Sequence, residues 1–240
     1  MSICDFHSHI LPGIDDGSRD LHISMQMLEQ IRAQKIDIMV ATPHFYASRD
    51  RIDEFLNRRE AARDAFFDEI RREGRSDTPR IRMGSEVAFF DGMSRAERLP
   101  ELAIEGTNLL LLEMPFAPWT QRNIEEVSYL IRERDLRILI AHLERFMWMQ
   151  GNRPYMQALL ELPVYVQLNA EALLQWRHRR TYLRMLEDGT AHVLGSDCHS
   201  AHHRAPNLQE ARKIIEKKRG RELLEKIDQR GYDLLFGHGE

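Results

Sequence analysis

Short apolar runs alternate along this chain with longer stretches of helical spacing, and nearly every apolar run ends in a histidine, a carboxylate or an amide. Short apolar runs bounded by turn signals read as buried strands, and apolar residues three and four apart read as one face of a helix. Strands are expected at residues 2–6, 35–42, 80–84, 108–112, 137–141, 164–168 and 191–194. Helices are expected at 23–34, where Ile23, Met27, Leu28 and Ile31 share a face, and at 50–73, 123–133, 153–160 and 181–187, with a helical tail over 208–230 that breaks near Gly220. This alternation gives parallel strands joined by crossover helices. The fold class expected is α/β, either an open doubly wound sheet or a closed barrel. No glycine-rich fingerprint follows the first strand, which weighs against a dinucleotide-binding sheet.

The strand ends carry the chemistry. The first run is followed by His7-Ser8-His9, the second by Thr42-Pro43-His44, and the third by Gly84-Ser85-Glu86. Glu113 follows the fourth run, His142 the fifth, Gln167-Leu168-Asn169 closes the sixth, and Asp197-Cys198-His199 follows the last. In a parallel barrel all these ends meet on one face, where active sites lie. A single histidine or glutamate there serves as readily as a cap or a solvent-facing group. His7 and His9, like Asp197 and His199, are two residues apart and so share one side of an extended chain. With Asp16 added, the candidate metal ligands are His7, His9, Asp16, His44, Glu86, Glu113, His142, Asp197 and His199. A catalytic zinc site needs only three protein ligands, so nine mixed nitrogen and oxygen donors suit two or three ions, with Glu86 as a bridge. Imidazole and carboxylate without thiolate suit manganese, iron or zinc alike.

Paired divalent ions lower the pKa of a bound water and clamp attacking and leaving oxygens, which suits phosphoester or amide hydrolysis. Amidohydrolase-type barrels also begin with His-x-His, but their binuclear members commonly bridge the metals with a modified strand-end lysine. The five lysines here are Lys35, Lys213, Lys217, Lys218 and Lys226, and none follows a strand. Arg145 and Arg204 follow His142 and His199 closely, and a guanidinium there can bind phosphoryl oxygens. These features favour phosphoester hydrolysis by a metal-activated hydroxide, with His199 and Asp16 as candidates for proton handling. Cys198 and Arg204 stand at Cys-x5-Arg spacing, but Cys198 lies between two candidate metal ligands, and a metal-activated hydroxide is the better nucleophile.

The 240 residues suit a single domain, 1–240, with 42% apolar residues for its core. Arginine accounts for 29 of the 34 basic residues, yet the net charge is −4, which disfavours a broad nucleic-acid surface. Two cysteines give no disulfide framework, and neither a signal peptide nor a membrane span is evident, so a cytoplasmic location is expected. Oligomeric state has no signature in the sequence.

The stretches Asp5-Phe6-His7-Ser8-His9-Ile10-Leu11-Pro12-Gly13-Ile14-Asp15-Asp16-Gly17, Ala41-Thr42-Pro43-His44, Gly84-Ser85-Glu86-Val87, Leu112-Glu113-Met114-Pro115, Ala141-His142-Leu143-Glu144-Arg145-Phe146, Gln167-Leu168-Asn169-Ala170 and Gly195-Ser196-Asp197-Cys198-His199 resemble the PHP (polymerase and histidinol phosphatase) superfamily. Within it they are similar to the bacterial manganese-dependent protein-tyrosine phosphatases of capsule and exopolysaccharide synthesis. The resemblance implies a distorted seven-stranded (β/α) barrel with a trinuclear site. It assigns His7, His9, Glu86 and Asp197 to one ion, Glu86, Glu113 and His142 to a second, and Asp16, His44 and His199 to a third. It assigns Arg145 and Arg204 to the phosphate. It implies phosphotyrosine on a bacterial tyrosine autokinase as substrate, against the alternatives of a histidinol-phosphatase-like small-molecule enzyme or a non-catalytic metal-binding kinase partner. Leu143 and Phe45 depart from the residues common in the family, but neither removes a proposed ligand.

Overall fold

The computed structural model describes residues 2–237; residues 1 and 238–240 of the expected 1–240 domain lie outside it. In chain order the elements are β1 (Cys4–Ser8), α1 (Leu21–Ala33), β2 (Ile38–Ala41), β3 (His44–Phe45), α2 (Ile52–Arg72), β4 (Arg80–Met83), β5 (Glu86–Ala88), β6 (Leu109–Glu113), α3 (Gln121–Glu133), β7 (Arg137–Ile140), α4 (Arg153–Leu160), β8 (Tyr165–Asn169), α5 (Ala170–Leu174), α6 (Arg179–Asp188), β9 (Val193–Gly195), α7 (Leu208–Arg219) and α8 (Arg221–Phe236). Every strand pairing is parallel. One sheet has the order β1-β2-β4 and the other β3-β5-β6-β7-β8-β9.

The expected second and third strands are each followed by a further short strand that was not expected, β3 after β2 and β5 after β4. Thr42-Pro43 separates β2 from β3, and Gly84-Ser85 separates β4 from β5. Proline lacks the N–H that a central ladder needs. At Gly84 a Cβ would meet Val40 Cγ1 at 3.2 Å and Ile104 Cγ1 at 3.3 Å, so a side chain there would push its neighbours apart by a few tenths of an ångström. The two sheets meet where β9 comes alongside β1. The Asp197 N–H donates to the His7 carbonyl at 2.7 Å, and the His9 N–H donates to the Cys198 carbonyl at 2.9 Å. The result is a curled, parallel α/β sheet.

Both faces of the strands are buried, as crossover helices require. In β6, Leu109 and Leu111 join Cys4, Phe6, Ile38, Val40, Leu139 and Val193 in one apolar cluster, while Leu110 and Leu112 join the larger cluster that includes the helices. Leu234 and Leu235 of α8 complete the smaller cluster. Each fully buried leucine contributes about 1.5–3 kcal/mol to this packing.

Local signals fix the helix ends. Asp20 accepts the Ile23 N–H at 2.9 Å and starts α1, two residues before the expected 23. Thr120 and Asn123 form a capping box at α3. Gly189, at φ 83°, ends α6. The tail is two helices broken at Gly220, the second running beyond residue 230, and the short α5 has no counterpart among the expected helices. Among the described residues no helix is long and apolar enough to cross a membrane.

Candidate metal centre

The strand ends and the loops after them converge as their positions in the sequence suggest. Within groups whose donor atoms all lie within 4.8 Å of one another, the structure brings together His7, His9 and Asp197; His7, Glu86 and His142; His44, Glu86 and Glu113; and His9, Asp16, His44 and His199. All nine expected ligands occur in these groups. The grouping differs in detail from the family-derived one, since His9 also joins the Asp16 group and His44 also faces Glu86 and Glu113.

Irregular backbone aims these side chains. Register shifts in β1 between Asp5 and Ser8, and along that strand Phe6 packs in the smaller apolar cluster while His7 turns to the site. His142, Asp197 and Arg204 have φ values of 31°, 51° and 54°, in the left-handed region that non-glycine residues seldom occupy. Strain of this kind is characteristic of functional sites. Arg59 of α2 reaches the loop before Glu86, donating to the Gly84 carbonyl at 3.0 Å and to Ser85 Oγ at 2.9 Å.

Hydrogen-bond polarity decides what the centre can hold. The His142 backbone N–H, which can only donate, points at Gln167 Oε1 at 2.8 Å. The same oxygen lies 3.2 Å from His7 Nδ1, so His7 carries its proton on Nδ1 and presents a lone pair on Nε2. His9 Nδ1 lies 2.7 Å from Asp15 Oδ2, which also accepts the His44 N–H at 2.9 Å. His9 therefore turns Nε2 inward, which offers a lone pair once a bound cation displaces its proton. These two nitrogens are only 3.1 Å apart. Glu86 Oε2 lies 3.1 Å from the first and 3.3 Å from the second, and Asp197 Oδ1 lies 3.5 and 3.4 Å away. Both carboxylate oxygens are buried without a hydrogen-bond partner, as is His199 Nε2, whose Nδ1 faces the Asp197 carbonyl at 2.9 Å. Lone pairs converging in a buried place repel unless a cation lies between them, so the donor set fits divalent metal.

The electrostatics agree. Burial opposes charge on His9, but Asp15, Asp197 and Glu86 outweigh it and hold its pKa well above the usual value. Burial likewise opposes charge on His142, yet Glu113 and Glu86 raise it to about 9. Burial would raise Glu86, but His7, His142 and His9 hold it well below the usual carboxylate range. The carboxylates draw protons onto imidazoles that a bound cation would displace. On the rim, exposed Asp16 is held low by His199 first and by His44.

Arg145, at the end of the 3₁₀ turn Leu143–Arg145, and Arg204 both pair with Asp197 Oδ2, the latter at 2.6 Å. They stand at the mouth of the centre with one oxygen of Asp197 between them, so each can hold that carboxylate and face an incoming anion. Cys198 packs in the apolar core, and burial followed by Asp5 pushes its thiol upward; burial, followed by Asp228, takes Cys4 to about 12. Neither supplies a thiolate nucleophile.

Ligand-spotting from the sequence leaves Asp15, Gln167 and Asn169 without roles. Asp15 and Gln167 set the histidine tautomers. Gln167 Nε2 donates to Asn169 Oδ1 at 2.8 Å, and Asn169 Nδ2 donates to Asp197 Oδ2 at 2.7 Å. Their signal was positional: two amides two residues apart at a strand end, and an acid beside Asp16.

The family model described as "Capsular polysaccharide synthesis, CpsB/CapC" matches residues 3–232. The chain belongs to this family. Among CpsB/CapC relatives, the tyrosine-protein phosphatase YwqE of Bacillus subtilis is 28% identical over 224 residues, covering 91% of this chain and 86% of that protein. The tyrosine-protein phosphatase CpsB of Streptococcus agalactiae is 26% identical over 235 residues and is covered to 91%, as is this chain. A crystal structure from work on YwqE of Bacillus subtilis and CpsB of Streptococcus pneumoniae, described as unique metal-dependent tyrosine phosphatases, superposes with a TM-score of 0.84 at 26% identity, covering 99% of this chain and 96% of that one. A β-aspartyl dipeptidase of Fervidobacterium islandicum shares the fold alone, at TM-score 0.52 and 12% identity over 97% of this chain and 74% of that one.

Proposed function

We propose that this chain is a metal-dependent protein-tyrosine phosphatase that acts on a bacterial tyrosine autokinase controlling capsule or exopolysaccharide synthesis. The observation that carries this reading is the convergence of His7 Nε2, His9 Nε2, Glu86 Oε2 and Asp197 Oδ1 on one point beneath two arginines. Membership of the CpsB/CapC family and the names of the relatives point the same way. We read the two sheets as one distorted seven-position barrel of PHP type, taking β2 with β3 and β4 with β5, closed where Ser8 bridges Cys198. It is a single domain in this reading, working in the cytoplasm where the kinase tail is reached.

Three ion positions follow: His7, His9, Glu86 and Asp197 for the first, Glu86, Glu113 and His142 for the second, and Asp16, His44 and His199 for the third. Manganese is the proposed ion, and iron or zinc would accept the same donors. Bound divalent ions supply positive charge for the phosphoryl oxygens and acidify the attacking water. Arg145 and Arg204 bind the non-bridging oxygens and stabilise charge that develops on them. Asp15 and Gln167 keep His9 and His7 in the tautomer that offers Nε2 inward. Asp16 stands at the exposed side of the centre with buried His199 beside it, and this pair exchanges a proton with solvent or with the leaving phenol.

A substrate panel tests the proposal. The manganese-loaded chain is expected to hydrolyse phosphotyrosine peptides in preference to histidinol phosphate. Turnover of histidinol phosphate alone would show a small-molecule phosphatase instead, and metal binding with no turnover of p-nitrophenyl phosphate would show a non-catalytic protein.

A further inference from the structure

Two of the three tryptophans, Trp148 and Trp176, are 56% and 84% exposed, while Trp119 is buried. Both border one groove of about 460 Å³. Trp148 lines it directly, and Trp176 sits in the loop whose Gln175, Arg177 and His178 line it. The groove opens from the metal centre, because Arg145 and Asn169 also line it and both bond Asp197 Oδ2.

Trp148 is held in place. Its ring stacks on His178 at 4.1 Å between centroids and 24° between planes, and its Nε1–H donates to the Tyr182 hydroxyl at 3.2 Å. An exposed aromatic fixed in one orientation loses little entropy when something binds it. Tryptophan, tyrosine and arginine are the residues enriched where binding energy concentrates. A small phosphomonoester ends at the arginines and leaves this groove untouched. A phosphotyrosine within a polypeptide must carry flanking residues away from Arg145. A second cavity bordering the centre, about 680 Å³, is walled by Asp16, Arg49 stacked on Tyr46, and the paired Arg58 and Asp50, which offers an apolar side chain little.

We propose that the Trp148 groove docks the peptide flanking the phosphotyrosine and seats a bulky apolar or aromatic side chain against the indole, with Glu171 and Arg177 at its edge for backbone polar groups. This rests on the tyrosine phosphatase reading. The test is steady-state kinetics of the manganese-loaded full chain on p-nitrophenyl phosphate and on two phosphotyrosine peptides, one flanked by Phe and Leu and one by Gly and Asp. Wild type should prefer the apolar-flanked peptide. Trp148→Ala should raise KM for that peptide by about tenfold, the loss of roughly 1.4 kcal/mol of binding, and leave p-nitrophenyl phosphate within about twofold. Trp148→Phe should restore most of the loss. An unchanged KM for the apolar-flanked peptide in Trp148→Ala, or an equal loss on all three substrates, overturns the docking surface while the phosphatase reading stands. Absence of turnover by wild type on every substrate defeats both.

Discussion

Asp197 Oδ2 accepts from Asn169 Nδ2, Arg145 and Arg204, leaving Oδ1 turned toward His7 and His9. The direction of this relay starts from a backbone donor at His142 and passes through Gln167 and Asn169. Asn169→Asp keeps an acceptor for Gln167 but removes the donor to Asp197 and places a second carboxylate against it. Manganese affinity should fall by about 10–100-fold, the usual effect of losing a partner behind a metal ligand. Metal titration of the variant, with circular dichroism as the check on folding, reads this directly; wild-type affinity would show that the relay does not position Asp197. Gly195 makes a related case, because a Cβ there would lie 2.5 Å from His7 Cβ and 2.8 Å from Gln167 Nε2. Gly195→Ala should therefore displace His7 and weaken metal binding, and unchanged titration would contradict that packing. That eight of the nine gathered candidates would meet was legible because strand-end position is a sequence property, whereas Asp16 lies in the loop between β1 and α1. Asp15, Gln167 and Asn169 were not assigned, since their roles depend on which atom of a neighbour each faces.

At the scale of elements, the strand–helix alternation placed the strands within a few residues, and the departures have local causes. Beyond Thr42-Pro43 and Gly84-Ser85, where the expected strands end, β3 and β5 resume the ladder over two and three residues, too few for an apolar run to show. Short α5 follows β8 directly, with too few residues for a helical period to show. Just before β9, His192 gives an element-level test. The Val166 N–H of β8 donates to His192 Nδ1 at 3.1 Å, so that nitrogen must stay unprotonated. Burial, assisted by Arg230, lowers the His192 pKa to about 4, below its value of about 6.5 in an unfolded chain. A depressed histidine stabilises the fold fully above about pH 6.5 and loses that contribution as pH falls toward 4. His192→Gln should flatten the fall in melting temperature between pH 6.5 and 4. Parallel curves for variant and wild type would show that His192 does not titrate with unfolding.

Across the whole molecule, the metal centre lies at the C-terminal ends of the strands and α8 closes the opposite end. Arg82 donates to the Leu235 carbonyl at 3.0 Å and lies 4.3 Å from the Phe236 ring, and Arg137 donates to the Leu234 carbonyl at 3.0 Å. A Cβ at Gly231 would meet Phe6 Cε2 at 3.0 Å. Gly231→Val should destabilise the chain by about 1–3 kcal/mol through overpacking, measured by urea unfolding, with metal content per folded chain unchanged. Loss of metal at undiminished stability would place α8 in the site instead of beneath it. The amphipathic tail was legible as a helix, but its partner was not, since an apolar face does not name the surface it covers. The central claim is that metal held by the strand-end cluster carries phosphotyrosine hydrolysis. Its most direct test is manganese-titrated turnover of a phosphotyrosine peptide by chelated wild type and by folded Asp197→Ala. Chelated wild type should be inactive and regain turnover with added manganese, while Asp197→Ala stays roughly 100-fold or more below it, a deficit of about 2.7 kcal/mol in transition-state stabilisation. Turnover that survives chelation, or Asp197→Ala at the wild-type rate, would contradict it.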